Sequence, residues 1–134
     1  MKILVPIRYP LTKNSRKTLE RAVELKSEES AEEPVDLHVL HVDLIQDSHK
    51  VRREDLRREV ESEFDIDATY VVRKGFLVEE TILEEVGRRG VDMVLIGKTR
   101  SSRLRRVFDR LVSNNPDIEN FLKDNLEVTI EVVD

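Results

Sequence analysis

Apolar positions along the chain alternate between short β-rich runs and longer stretches of helical period. Ile3-Leu4-Val5-Pro6-Ile7 is a continuous apolar run, as expected of a strand covered on both faces. Asn14 or Ser15 is placed to cap a helix whose buried stripe includes Leu19, Ala22 and Val23. The acidic stretch 27–34 reads as a surface turn, and Val35 to Val42 as a second strand. From Gln46 to Phe64, Leu56, Val60 and Phe64 recur every four residues, with Glu54–Arg58 and Arg57–Glu61 as opposite-charge pairs. This spacing predicts a surface helix whose charged side is solvated.

Ile66 to Val72 reads as a third strand, stopped near Gly75. Val78, Ile82, Leu83 and Val86 mark a third helix, with Glu79 and Glu80 in its first turn and Gly87 and Gly90 at its end. Val91 to Gly97 is a fourth, buried strand. Leu104, Val107, Phe108, Leu111 and Val112 then give a fourth amphipathic helix, interrupted at Ser113-Asn114-Asn115-Pro116. Asp117 is placed to cap a short continuation with Ile118, Phe121 and Leu122. Leu126, Val128, Ile130 and Val132 alternate with Glu127, Thr129 and Glu131, the pattern of a strand at a sheet edge with one exposed face. The order βαβαβαβαβ predicts one α/β domain over residues 1–134, an open, parallel, five-stranded sheet with helices on both faces.

Composition narrows the chemistry. The 134 residues contain no cysteine, which excludes disulfides, thiolate metal sites and a catalytic thiol. No apolar run approaches the roughly 20 residues of a membrane helix, and the first residues lack a signal peptide's apolar region. The expected location is the cytoplasm. The net charge of −5 argues against a general nucleic-acid binder. The charge is uneven, however. Lys98, Arg100, Arg103, Arg105, Arg106 and Arg110 stand against Asp109 alone, a local +5 in a chain that is otherwise −10.

In a parallel α/β sheet a ligand sits beyond the carboxyl ends of the strands, where strand order reverses. Two loops are candidates: Arg8 to Lys13 after the first strand, and Gly97 to Ser102 after the fourth. The second resembles a phosphate loop, with a glycine ending a strand, hydroxyl side chains following, and a helix expected to begin near Arg103. Neither GxGxxG nor a Walker lysine pattern is present. His38 and His41 lie three apart on a strand and so face opposite ways, which prevents them sharing a metal ion. His49 falls in a loop with no acceptor motif nearby. Glu79-Glu80 and Glu84-Glu85 read as solvated helix surface. No catalytic set emerges from the spacing, and the expectation is a protein that is not an enzyme.

Ile3-Leu4-Val5-Pro6-Ile7, His38-Val39-Leu40-His41-Val42, Val72-Arg73-Lys74-Gly75 and the stretch from Glu79 through Val91-Asp92-Met93-Val94-Leu95-Ile96-Gly97 together resemble the universal stress protein family. The likeness runs in register from Met1 to about Arg110, and more loosely to Val133. It implies a five-stranded parallel fold, usually dimeric, and many members bind ATP. ATP-binding members carry an acidic residue soon after the first strand, where this chain has Arg8. Their glycine-rich signature begins at the position of Gly97, but its later glycines fall at Arg100, Arg103 and Arg110, and its following hydroxyl residue at Leu111. The chain is also longer than the family pattern around Asn114-Asn115-Pro116.

Each of these three arginines puts a long side chain where that pattern needs close backbone approach, so the resemblance implies that the usual phosphate cradle does not survive in that form. The candidate ligand-binding set is Pro6, Arg8, Val42, Gly97, Arg100, Ser101, Ser102 and Arg103. The leading expectation is a non-enzymatic stress-response or regulatory binding protein without a cofactor, dimeric through the strand from Leu126 to Val132. The alternative is a binder of ATP, another adenine nucleotide or a phosphate anion, with arginines replacing backbone amides as receptors. A third reading has the basic 98–110 segment touching nucleic acid. If Arg100 and Arg103 fill the crevice, nucleotide binding is excluded sterically.

Overall fold

The computed structural model describes residues 1–47, 50–114 and 128–134. The strands are β1 (Lys2–Pro6), β2 (Asp36–Leu44), β3 (Ala68–Gly75), β4 (Met93–Gly97) and β5 (Thr129–Val133). The helices are α1 (Lys13–Ser27), α2 (Arg53–Glu61), α3 (Val78–Arg89) and α4 (Lys98–Asn114). All five strands pair in parallel in the order β3-β2-β1-β4-β5. Both sheet faces are covered, which is why the inner strands read as unbroken apolar runs. Ile3, Val5, Leu37, Val39 and Leu95 pack with Leu19 of α1 and Leu56 and Val60 of α2. Leu4, Leu40, Val94 and Ile96 pack with Ile82 and Val86 of α3 and Leu104 of α4.

Several boundaries differ from the sequence reading. The cap of α1 is Thr12, whose side-chain oxygen accepts from the Ser15 backbone N–H, rather than Asn14 or Ser15. The second helix is shorter than the charged stretch that encodes it, because its apolar stripe is only Leu56 and Val60. Gly87 lies inside α3, and Gly90 ends that helix in the left-handed conformation at φ 62°. The fourth helix begins at Lys98, directly after β4, rather than near Arg103. No glycine or proline after Gly97 interrupts it, so Lys98 to Ser102 are helical.

Strand β5 is an edge strand, as its alternation predicted, although its described span starts at Thr129. The continuation proposed for Asp117, Ile118, Phe121 and Leu122, and the residue Leu126, lie outside the described residues, as does His49. On β5 the alternation is looser than expected: Val132 is exposed, while Glu131 is half-buried because Arg21 of α1 grips it with two hydrogen bonds of 2.9 Å.

Glu85 corrects the sequence reading most sharply. It was expected on a solvated helix face, yet it is 1% exposed. Arg73 Nε of β3 donates to its Oε1 at 2.6 Å, and Arg89 Nε donates to its Oε2 at 2.7 Å. Arg89 also reaches His38 Nδ1 at 3.3 Å, and His38 Nε2 lies 3.0 Å from Asp36 Oδ2. A line of polar groups thus fastens α3 across β2 and β3. His38 works on this face and His41 on the other, as their spacing required.

Candidate functional site

Strand β1 lies between β2 and β4, and the chain leaves β1 and β4 toward opposite faces of the sheet. The connection after β1 enters α1 on one face, and the junction after β4 enters α4 on the other. The two segments therefore part over the carboxyl ends of β1 and β4 and leave a crevice there. Arg8 stands on the first segment and Arg100 on the second.

The crevice holds two adjoining hollows. The first has a volume of about 610 Å³ and runs from Pro6–Pro10 over the end of β2, including His41, Val42 and Asp43, to Val51 and Asp55 before and within α2. Val78 and Arg100 line it as well. The second, of about 600 Å³, lies between the start of α1 (Thr12, Asn14, Ser15, Lys17, Thr18) and the β4–α4 junction (Gly97, Lys98, Arg100, Arg103), with Val133 and Asp134 beside it. Both volumes lie in the usual range for small-molecule sites. Pro6, Ile7, Arg8 and Arg100 belong to both.

The second hollow is strongly basic. Arg8, Lys17, Lys98, Arg100 and Arg103 line it against the single acidic residue Asp134. Arg100 is 19% exposed, and among the described residues its nearest carboxylate oxygen is Glu79 Oε1 at 3.9 Å. Burial pushes the Arg100 guanidinium below its ordinary pKa, and the charge of Arg8 pushes it further. Glu79 opposes this, and Arg103 adds to it. Among the described residues neither Arg8 nor Arg103 forms an ion pair. The charges of Arg8 and Arg103 thus both bear on the Arg100 guanidinium. The first turn of α4 starts at the crevice and brings the positive end of a helix dipole to it.

Local hydrogen bonds fix the opposite wall. The backbone N–H of Arg8 donates to Ser15 Oγ at 2.9 Å, and Thr12 Oγ1 donates to the same oxygen at 3.0 Å. The segment that carries Arg8 is thereby tied to the first turn of α1. A Cβ added at Gly97 would meet nothing within 4 Å, so the space beside this residue is open.

The first hollow is mixed. Tyr9 and His41 face each other with ring centroids 6.1 Å apart and tilted by 59°. Burial pushes the His41 imidazole below its ordinary pKa, against the opposing influence of the Ile7 backbone and Asp43. His41 Nδ1 is buried without a partner. Asp43 is 4% exposed, and its Oδ2 accepts from the Val51 backbone N–H at 3.3 Å.

Of the residues singled out from sequence, Pro6, Arg8, Val42, Gly97, Arg100 and Arg103 line the crevice. Ser101 and Ser102 line neither hollow: Ser101 is buried in the first turns of α4 and Ser102 points away, exposed. The arginines border the crevice without closing it. Tyr9 falls within the candidate loop Arg8 to Lys13, whereas sequence reasoning missed Asp43, Val51 and Asp55 in the first hollow and Lys17 in the second, which strand order and helix packing bring to the crevice. Among the described residues no grouping of three ligating side chains suits a metal ion, and no helix is long and apolar enough to cross a membrane. No family model, no curated protein and no solved structure matches the chain.

Proposed function

We propose that this protein is a non-enzymatic, universal-stress-protein-like binding module that holds a phosphorylated small molecule in the crevice above β1 and β4. One observation carries the reading: Arg8, Arg100 and Arg103 line an open hollow, and among the described residues no carboxylate lies nearer to Arg100 than 3.9 Å. Like charges held together in a half-buried site are unfavourable unless an anion joins them. Guanidinium groups receive phosphate oxygens in pairs, so they can take over from the backbone amides of a glycine-rich loop. Two adjoining hollows give room for a phosphate end and an uncharged end, as in a nucleotide.

Thermal unfolding with inorganic pyrophosphate and with a nucleoside diphosphate tests this reading. At a hundredfold excess over Kd the expected stabilisation is about 2.7 kcal/mol, or roughly 10 °C for a chain of this length. The absence of a shift with either compound at millimolar concentration would overturn the proposal.

The same reading includes a homodimer formed through β5. That strand ends the sheet, and Val132 on it is 41% exposed. Pairing with a second copy would satisfy its outer backbone groups. Light scattering at micromolar concentration should give twice the 15.7 kDa chain mass, and Val132→Lys should return it to a monomer. A wild-type monomer would defeat this part of the proposal.

A further inference from the structure

We infer that Asp43 is a specificity-determining residue, which selects phosphorylated ligands whose uncharged part carries hydrogen-bond donors, hydroxyl or amino, in the first hollow. The inference rests on the anion-binding reading above and adds to it what the other end of the ligand must be. Asp43 is 4% exposed, yet it lines an open hollow of about 610 Å³. Among the described residues its hydrogen-bond partner is one backbone N–H, that of Val51, at 3.3 Å. A carboxylate has about four acceptor positions, and a buried one is costly unless they are used.

No cation balances Asp43 within ion-pair distance among the described residues. His41, two residues earlier on the same face of β2, is held below its ordinary pKa by burial and so presents a neutral ring near neutral pH. Lys50 lines the same hollow without pairing to Asp43. The spare acceptor capacity therefore faces the cavity. Beside it Tyr9, His41, Val42 and Val51 give flat and apolar wall. A donor-bearing sugar or ring fits these surroundings. A bare inorganic anion does not, because its oxygens would face the carboxylate.

Calorimetric titration of the whole chain and of its Asp43→Asn variant tests the inference, with inorganic pyrophosphate, adenosine diphosphate, its 2′,3′-dideoxy form and its form lacking the 6-amino group. Wild-type protein should bind adenosine diphosphate about tenfold tighter than pyrophosphate, the effect of one or two charge-assisted hydrogen bonds. In Asp43→Asn that preference should shrink to about twofold, while pyrophosphate binds as well as before or better, since a negative charge has gone. The amide keeps an acceptor for the Val51 N–H, so the loop before α2 stays tied. Whichever analogue loses the preference in wild-type protein identifies the donor as hydroxyl or amino.

A preference unchanged in Asp43→Asn would overturn the inference and leave Asp43 as a tether for Val51. So would equal binding of all three nucleotides by wild-type protein, or a nucleotide no tighter than pyrophosphate. Failure of pyrophosphate itself to bind would instead remove the anion reading, and this inference with it.

Discussion

Replacing Glu85 by Gln is expected to destabilise the protein by about 3 kcal/mol, lowering its melting temperature by roughly 10 °C. The carboxylate is 1% exposed and receives short hydrogen bonds from Arg73 on β3 and from Arg89 on its own helix. The amide has the same shape but turns an NH₂ group toward one of the two guanidinium groups, donor against donor. Arg73 and Arg89 retain 37% and 23% of their side-chain exposure, so water relieves part of the loss. This sets the cost at the low end for a broken buried pair. Chemical denaturation of both proteins measures it, and a difference under about 1 kcal/mol would mean that the network is solvated in solution.

The same carboxylate sets an acid dependence. Burial alone would raise its pKa, but the hydrogen bonds from Arg73 and Arg89, with their charges, overcome this and hold it below the ordinary value. The folded state therefore binds a proton less readily than the unfolded chain. Its contribution is complete above the unfolded glutamate pKa of about 4.3 and is lost as pH falls through the lower, folded value. The gap in stability between wild type and Glu85→Gln should accordingly be constant near neutrality and narrow below about pH 4.

The element order was legible because parallel strands buried on both faces read as apolar runs, and Ile3–Ile7 and Val91–Gly97 are two of them. The edge position of β5 was legible from its alternation. Glu85 was misread because composition does not separate it from its neighbour Glu84. The distinguishing signal was present, however: Ile82, Glu85, Val86 and Arg89 lie at i, i+3, i+4 and i+7, on the apolar side of the helix. Its other partner, Arg73, is twelve residues away on β3, and only the packing of α3 on the sheet brings them together. For the site, Arg8, Arg100 and Arg103 stood out because they replace expected features of a recognisable pattern. Tyr9, His41 and Asp43 did not, since a polar residue near a strand end is ordinary until neighbouring strands and helices enclose it.

Arg100 should show the opposite sign from Glu85. Arg73 and Arg89 are compensated by a buried carboxylate, whereas among the described residues Arg100 faces Arg8 and Arg103 with Glu79 alone, at 3.9 Å, to offset them. Its guanidinium pKa is depressed, first by burial and then by Arg8, so folding opposes its charge rather than favouring it. Arg100→Gln should therefore melt higher than wild type in the absence of ligand. Its affinity for pyrophosphate should fall about 30- to 100-fold, the equivalent of roughly 2–3 kcal/mol for lost charge-assisted hydrogen bonds. Added sodium chloride should stabilise unliganded wild-type protein by screening the repulsion, and do so less in the variant. A lower melting temperature with an intact pyrophosphate response would instead make Arg100 a structural partner of Glu79. A higher melting temperature combined with lost binding would show that stability has been given up at this crevice in favour of an anion.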